Sequence, residues 1–335
     1  MTINSVNRLP TSLKNSIAKV AEVRPYVVAA AVAAGALAAT ALFNRHLAKK
    51  AEQDNPPAGQ FLDLDGVRLH YVERGSGDPL VLLHGNGSMI QDFESSGLVE
   101  LAAKNYRVIV IDRPGFGHSS RPRNVTWSPD AQARLIKRAL ERLGVSQAVV
   151  LGHSWGASVA VALALKFPEL VRGLVLASGY YYPTLRPDVV ALSTPGIPVV
   201  GDVLRHTLSP IISRLMWPLM MIKIFGPRSA PAKFGQFPKE MALRPSQIRA
   251  SAAESALMIP DAFHFEDKYA GLKMPVVIIA GEDDRLININ KQSARLHSDI
   301  SQSAFHRVPG TGHMIHQTAT GEVMAAINEV ADCGT

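Results

Sequence analysis

Val149-Val150-Leu151-Gly152-His153-Ser154-Trp155-Gly156-Ala157-Ser158 is the segment around which the chain is organised. A short apolar run breaks into Gly-x-Ser-x-Gly and continues as a helix-compatible segment, which reads as strand, sharp turn, helix. Glycine is needed at both 152 and 156 because the backbone at Ser154 is strained there and a β-carbon beside it would collide with its neighbours. The turn would expose the Ser154 hydroxyl at the carboxyl end of a strand. The first amides of the following helix would then point at whatever bonds to that hydroxyl. The pattern alone recurs by chance in many chains, so its weight comes from what surrounds it.

On both sides the same grammar repeats. Leu80–Leu83, Val108–Ile111, Ala148–Leu151, Leu174–Ala177 and Val276–Ala280 are short runs apolar on both faces, as expected of covered parallel strands. Helix-compatible stretches such as Ala131–Leu143 and Ala157–Phe167 lie between them. The alternation predicts an α/β protein with a mostly parallel sheet and helices on both faces. Ahead of it, the segment from Phe61 to Val72 alternates polar and apolar residues about Asp65-Gly66, a hairpin signature. With 335 residues and an apolar fraction of 47%, the chain can bury a large core plus an insertion. Its net charge of +7 is spread without a basic block, which argues against nucleic-acid binding and leaves an anionic membrane surface as a compatible partner. Cys333 is the single cysteine, so neither an internal disulfide nor a thiolate metal cluster can form.

Candidate chemistry sits in the loops that follow the strands, where ligands bind in parallel sheets. After Leu83 comes His84-Gly85-Asn86-Gly87-Ser88, whose glycines allow close backbone approach; the amides of Asn86 and Trp155 are the candidate donors to an oxyanion. His84 reads as a loop pin, and Asp112, opening Asp112-Arg113-Pro114-Gly115-Phe116-Gly117-His118-Ser119, as a loop organiser. A serine nucleophile needs a base, and the base an orienting carboxylate. Glu282-Asp283-Asp284 follows the last long apolar strand and supplies the acid. Among eleven histidines, His313 alone follows a late strand through a glycine-framed loop, Gly310-Thr311-Gly312, and is the expected base. His306 and His316 read as structural. Serine, acid, histidine is the order of one known triad arrangement.

The ordered set His84-Gly85-Asn86-Gly87, Asp112-Arg113-Pro114-Gly115-x-Gly117-x-Ser119, Gly152-His153-Ser154-Trp155-Gly156, Gly281-x-x-Asp284 and Gly310-x-Gly312-His313 resembles the α/β-hydrolase family, from about Phe61 to Asp332. The resemblance implies the α/β-hydrolase fold and selects Asp284 as the acid, with Asp283 the alternative. Serine at the turn departs from the family's haloalkane dehalogenases and epoxide hydrolases, which attack with a carboxylate. The resemblance also implies that residues 180–273 form a helical cap inserted into a core of residues 60–179 and 274–335. Expected cap helices are Val199–Leu204, Leu208–Phe225 and Gln247–Met258, punctuated by Pro195, Pro198, Pro210, Pro218 and Pro227. Leu215–Ile222 is strongly apolar and suits three uses: holding the cap down, lining a substrate site or touching a bilayer. Tyr180, Tyr181 and Tyr182 are expected to line the cleft. The reading that follows is a serine esterase acting on a mostly apolar small molecule, with Ser154, Asp284 and His313 catalytic and no metal or organic cofactor. Carbon-carbon bond hydrolysis, thioester hydrolysis, cofactor-free perhydrolysis and a non-catalytic binding role remain alternatives; the oligomeric state is not legible.

At the amino terminus, residues 1–24 precede Pro25–Phe43, 19 uncharged residues long enough to cross a bilayer as a helix. The run is expected as a single-pass anchor rather than a cleaved signal peptide, although Ala39-Thr40-Ala41 has the small-x-small form of a cleavage site. Arg8, Lys14, Lys19 and Arg24 before it, against Arg45, Lys49 and Lys50 after it, leave the orientation open. Residues 44–59, with Pro56-Pro57, read as a linker.

Overall fold

The computed structural model describes residues 10–333. Residues 1–9, including Arg8, and 334–335 lie outside the described residues. The strands are β1 (Gln60–Leu64), β2 (Val67–Arg74), β3 (Asp78–Leu83), β4 (Tyr106–Ile111), β5 (Ala148–His153), β6 (Val171–Ala177), β7 (Val276–Gly281) and β8 (Ser303–Val308). They form one sheet in the order β1-β2-β4-β3-β5-β6-β7-β8. β1 and β2 make the expected hairpin, Leu64 paired with Val67 across Asp65-Gly66, whose φ angles of 48° and 78° suit a tight hairpin turn. β2 also pairs antiparallel with β4, and every later pairing is parallel.

Period-two alternation divides the strand side chains between two cores. Val81, Leu83, Ile109, Ile111, Val150, Leu174, Leu176 and Ile278 join α4 (Pro129–Arg142) and α5 (Trp155–Lys166) on one face. Leu80, Leu82, Val108, Val110, Val149, Leu151, Val175 and Ile279 point the other way, to α2 (Ile90–Ser96), α3 (Leu98–Ala102) and the last helix, α11 (Thr320–Asp332). Central strands are thus apolar on both faces because each face has its own helical layer.

Between β6 and β7 the chain leaves the sheet and builds a helical insertion: α6 (Pro187–Ser193), α7 (Val200–His206), α8 (Leu208–Phe225), α9 (Lys239–Ala242) and α10 (Pro245–Phe265). Pro218, expected as punctuation, lies inside α8 without ending it. Trp217, Met221 and Ile224 face inward on Phe225, Phe234 and Phe237, while the opposite side of α8 is exposed. Tyr180, Tyr181 and Tyr182 are buried rather than displayed in a cleft. The amides of Tyr181 and Tyr182 both donate to Gln292 Oε1, and both rings pack against Tyr269.

One expected boundary changes. The amino-terminal helix α1 spans Thr11–Asp54, so residues 44–54 are helical and not linker; only residues 55–59 lie outside a helix or strand. The reason is docking. Asn44 and Ala51 are buried, and the Asn44 side chain donates to the carbonyls of His206 (3.1 Å) and Thr207 (2.7 Å) at the junction of α7 and α8. The helix ends where Asn55 meets Pro56-Pro57.

A β-carbon at Gly156 would lie 2.1 Å from the Leu83 carbonyl oxygen, a collision with backbone that cannot be relieved by a rotamer change. Gly156→Ala is therefore expected to destabilise the fold by about 3 kcal/mol, the upper part of the overpacking range. A urea unfolding midpoint unchanged from the parent chain would contradict that packing.

Candidate active site

β5 ends at His153 and α5 begins at Trp155, leaving Ser154 alone in the turn at φ 53°, ψ −120°. That positive φ is costly for a residue with a side chain and persists because both neighbours are locked. The Ser154 amide donates to the Ala177 carbonyl at the end of β6 (2.9 Å), and a β-carbon at Gly152 would meet the Gly156 carbonyl oxygen at 2.4 Å. The strand therefore passes directly into the helix, and the serine side chain stands clear of both.

Three expected residues meet at this point. Ser154 Oγ lies 3.0 Å from His313 Nε2, and His313 Nδ1 lies 2.7 Å from Asp284 Oδ2. His313 and Asp284 are almost wholly buried, whereas Ser154 is partly open. The second oxygen of Asp284 accepts from the amides of Leu286 (2.7 Å) and Ile287 (2.9 Å), which fixes the carboxylate. Asp283, the alternative acid, is exposed and turns away to accept from the Gly310 amide (3.0 Å). An imidazole bridging a hydroxyl and a buried carboxylate can take a proton from the first while the second stabilises its charge.

The Asn86 loop is held beside Ser154 from several sides. His84 Nδ1 meets the Gly85 carbonyl (2.8 Å), and His84 Nε2 accepts from the Arg113 amide (3.0 Å), so this imidazole is a neutral pin. Burial, then the Arg113 charge, lowers its pKa to about 3. Asn86 Nδ2 donates to Ser251 O (3.1 Å) and Ser255 Oγ (3.2 Å) on α10. Among the described residues, the amides of Asn86 and Trp155 donate to no group of the fold, as two candidate oxyanion donors should. Asp112 is a loop organiser, receiving the amides of Ile90 (2.9 Å) and His118 (3.0 Å) and pairing with His70 at 2.6 Å. His306 pairs with Glu329 on the surface, remote in role from Ser154.

Two supporting groups escaped the sequence reading. Arg113 is fully buried, donates to the carbonyls of His84 (2.8 Å) and Gly85 (3.0 Å), and forms a two-pronged ion pair with buried Glu254 of α10 (2.5 and 3.1 Å). Arg113 carried a signal, its place in the turn after β4; Glu254 carried none. Behind His313, His153 Nε2 donates to the His313 carbonyl (3.0 Å), and its ring packs 4.3 Å from that of His316, which bonds Asp92 at 3.0 Å. Asp92, His153 and His316 bring ligating atoms within 4.8 Å of one another; the Asp92 carboxylate and both Nε2 atoms are held by hydrogen bonds, whereas His153 Nδ1 and His316 Nδ1 are buried without a hydrogen-bond partner among the described residues. Burial would push the Asp92 carboxyl up; the charge and hydrogen bond of His316, with His153 and Gln317, pull it well below the usual carboxylate range.

With this geometry in view, residues 78–320 match the family model of the alpha/beta hydrolase fold. The chain belongs to that family. A 2-hydroxy-6-oxononadienedioate/2-hydroxy-6-oxononatrienedioate hydrolase of Escherichia coli (strain K12 / DH10B) is 30% identical over 258 residues, covering 74% of this chain and 85% of that one. Haloalkane dehalogenase 2 of Mycobacterium bovis (strain ATCC BAA-935 / AF2122/97) is 25% identical over 288 residues, 82% of this chain and 95% of its own. A solved membrane phospholipase A, described as a bacterial virulence factor, superposes with a TM-score of 0.63 at 20% identity, over 92% of this chain and 98% of that one, a likeness of fold. This α/β hydrolase thus shares its scaffold with enzymes of differing substrates.

The neutral buried histidines give the hydrolase a defined acid sensitivity. An unfolded histidine takes its proton near pH ~6.5, whereas folded His84 resists down to about 3. Between those values the unfolded state binds more protons, so stability falls as pH drops through this window. Buried His153, also held well below its ordinary value by burial and by the His316 charge, acts in the same sense. Urea midpoints at fixed ionic strength should decline from about pH 6.5 towards 3, and less steeply in His84→Gln; equal slopes in both proteins would contradict the assignment.

Proposed function

We propose that this α/β hydrolase is a serine esterase that cleaves a carboxylic ester of a mostly apolar small molecule through an acyl-enzyme. The observation that carries this reading is the chain of contacts from Ser154 Oγ to His313 (3.0 Å) and from His313 to Asp284 (2.7 Å). In the proposed first half-reaction, Ser154 Oγ attacks the ester carbonyl carbon as its proton passes to His313 Nε2. Asp284 stabilises the imidazolium, and the amides of Asn86 and Trp155 hold the oxyanion. Collapse of the tetrahedral adduct expels the alcohol, which takes the proton from His313. Water then gives a proton to His313 and attacks the acyl-serine; expulsion of Ser154 Oγ, which regains the proton, releases the acid. No step calls for a metal or an organic cofactor.

Serine at the turn also argues against dehalogenation. Displacing a halide from an alkyl carbon with a hydroxyl would leave an alkyl ether, which water does not cleave, whereas an acyl-serine is readily hydrolysed. A second reading follows from the relative that is 30% identical, whose named substrate is a dicarboxylate. Such a dianion would need cationic partners; beside the loop, buried Arg113 is paired with Glu254, and Arg121 approaches the same carboxylate at 3.8 Å, so that cluster offers one positive charge for two carboxylates. An uncharged acyl group suits the apolar cap better. We further propose that Pro25–Phe43, exposed along α1, anchors the enzyme in a membrane as a single pass.

Ser154→Ala should lower turnover of p-nitrophenyl esters by about 10⁴-fold or more while the folded state is retained. Turnover within tenfold of the parent enzyme would reject the nucleophile assignment. Faster turnover of a 2-hydroxy-6-oxo-dienedioate than of any ester in an acyl-length panel would favour the second reading.

A further inference from the structure

The outward side of α8 breaks the rule for a helix at a protein surface. Leu208, Ile212, Leu215, Met216, Leu219 and Ile222 recur at helical spacing and are exposed, Leu215 to 74%. Of the two charged residues of α8, Arg214 is paired with Glu240 at 2.8 Å, and Lys223, its side chain partly exposed, reaches Asp188 at 3.6 Å. A water-facing helix turns its polar stripe outward; here the outward stripe is apolar and the inward one packs on Phe225, Phe234 and Phe237. The exposed patch continues onto Val199, Val200 and Val203 at the start of α7. Patches of this extent mark an interaction surface.

What covers it is indicated by where it sits. The uncharged run of α1 ends at Phe43, and the next residue, buried Asn44, donates to the carbonyls of His206 and Thr207 and accepts from Arg214 Nη1 (3.0 Å). Glu52 then holds Arg244 at 2.7 Å. The membrane-directed helix is therefore fastened to the junction of α7 and α8, and the apolar face begins where α1 leaves the folded body. Charge does not oppose this: the whole insertion, residues 180–273, holds eleven Lys/Arg against seven Asp/Glu, although Arg205, Arg214 and Arg244 are engaged in ion pairs.

We propose that the outer face of the cap, centred on α8, lies in the headgroup and upper acyl region of the bilayer, and that the enzyme draws its apolar acyl substrate from that bilayer. The proposal rests on the membrane-anchor reading of α1 and adds a second, in-plane contact to it. α8 does not span; it lies flat, as amphipathic interfacial helices do. Its carboxyl end reaches the chemistry, since the Met314 amide, next to His313, donates to the Ile224 carbonyl (3.2 Å). The bilayer-seated helix thus ends against the loop that carries the base.

The single cysteine makes a direct test practical. In full-length Cys333→Ser protein, a cysteine is placed at Leu219 on α8, or at Lys104 on the far, core side as control, and labelled with an environment-sensitive dye. Each protein is reconstituted into vesicles of equal parts phosphatidylcholine and phosphatidylglycerol, with and without shallow nitroxide lipids. The proposal expects the chain to float with the vesicles and only the 219 label to be blue-shifted and nitroxide-quenched. Flotation with both labels in water overturns the cap contact and leaves the anchor intact. Failure to float overturns the anchor reading and the proposal with it. A 219 label that is shielded but unquenched, and that cross-links to a second copy, assigns the face to self-association and overturns the proposal. A functional arm uses Leu215→Glu with Leu219→Glu. Hydrolysis of a long-chain ester carried in the vesicles should fall about tenfold or more, as expected for losing two buried leucines. Hydrolysis of a short water-soluble ester, which also reports folding, should be unchanged. Equal loss on both substrates would contradict the proposal.

Discussion

The backbone at Ser154, held at φ 53° and ψ −120° between β5 and α5, is the constraint on which the site depends. A residue with a side chain resists that conformation, so it survives only because the sheet and helix on either side are pressed together until no β-carbon fits at 152 or 156. The result is a hydroxyl lifted out of the core at the end of a central strand. Everything else brought to it, His313, Asp284 and the free amides of Asn86 and Trp155, comes from loops and a helix start at the same edge of the sheet. The two apolar cores on the sheet's faces supply the rigidity, and the loops supply the chemistry.

Around this point the cap is part of the site's scaffolding. The buried Arg113–Glu254 pair joins the loop carrying Asn86 to α10, and Asn86 itself donates to Ser251 and Ser255 on the same helix. Buried ion pairs contribute little net stability, but removing one partner leaves an uncompensated charge and costs about 3–5 kcal/mol. A second cap helix, α8, meets the loop of His313 through Ile224 and Met314. One helix of the insertion thus braces the Asn86 loop and another braces the loop of His313.

Much of this was legible in the residues because the decisive features are local. Ser154 and His313 each follow a strand and are framed by glycines, and strands apolar on both faces announced a parallel sheet. Asp284 and Asp283 could not be separated by position alone, since both follow β7. What separates them is direction: Asp284 turns into the fold to meet the amides of Leu286 and Ile287, and Asp283 turns out to Gly310. Glu254 was invisible because its partner is 141 residues away. Residues 44–54 looked like a linker because a charged, docked helix and a solvated tether have similar composition; the tertiary contact of Asn44 decides the matter. The spacing of apolar residues in α8 was readable, but not which side of the helix turns outward.

The proposed acylation of Ser154 is tested by peptide mapping by mass spectrometry after reaction with a fluorophosphonate or a slowly deacylating ester. The added mass is expected on the peptide containing Ser154, in a reaction prevented by prior denaturation. The added mass on another peptide, or ester turnover with no adduct trapped on Ser154, would contradict it.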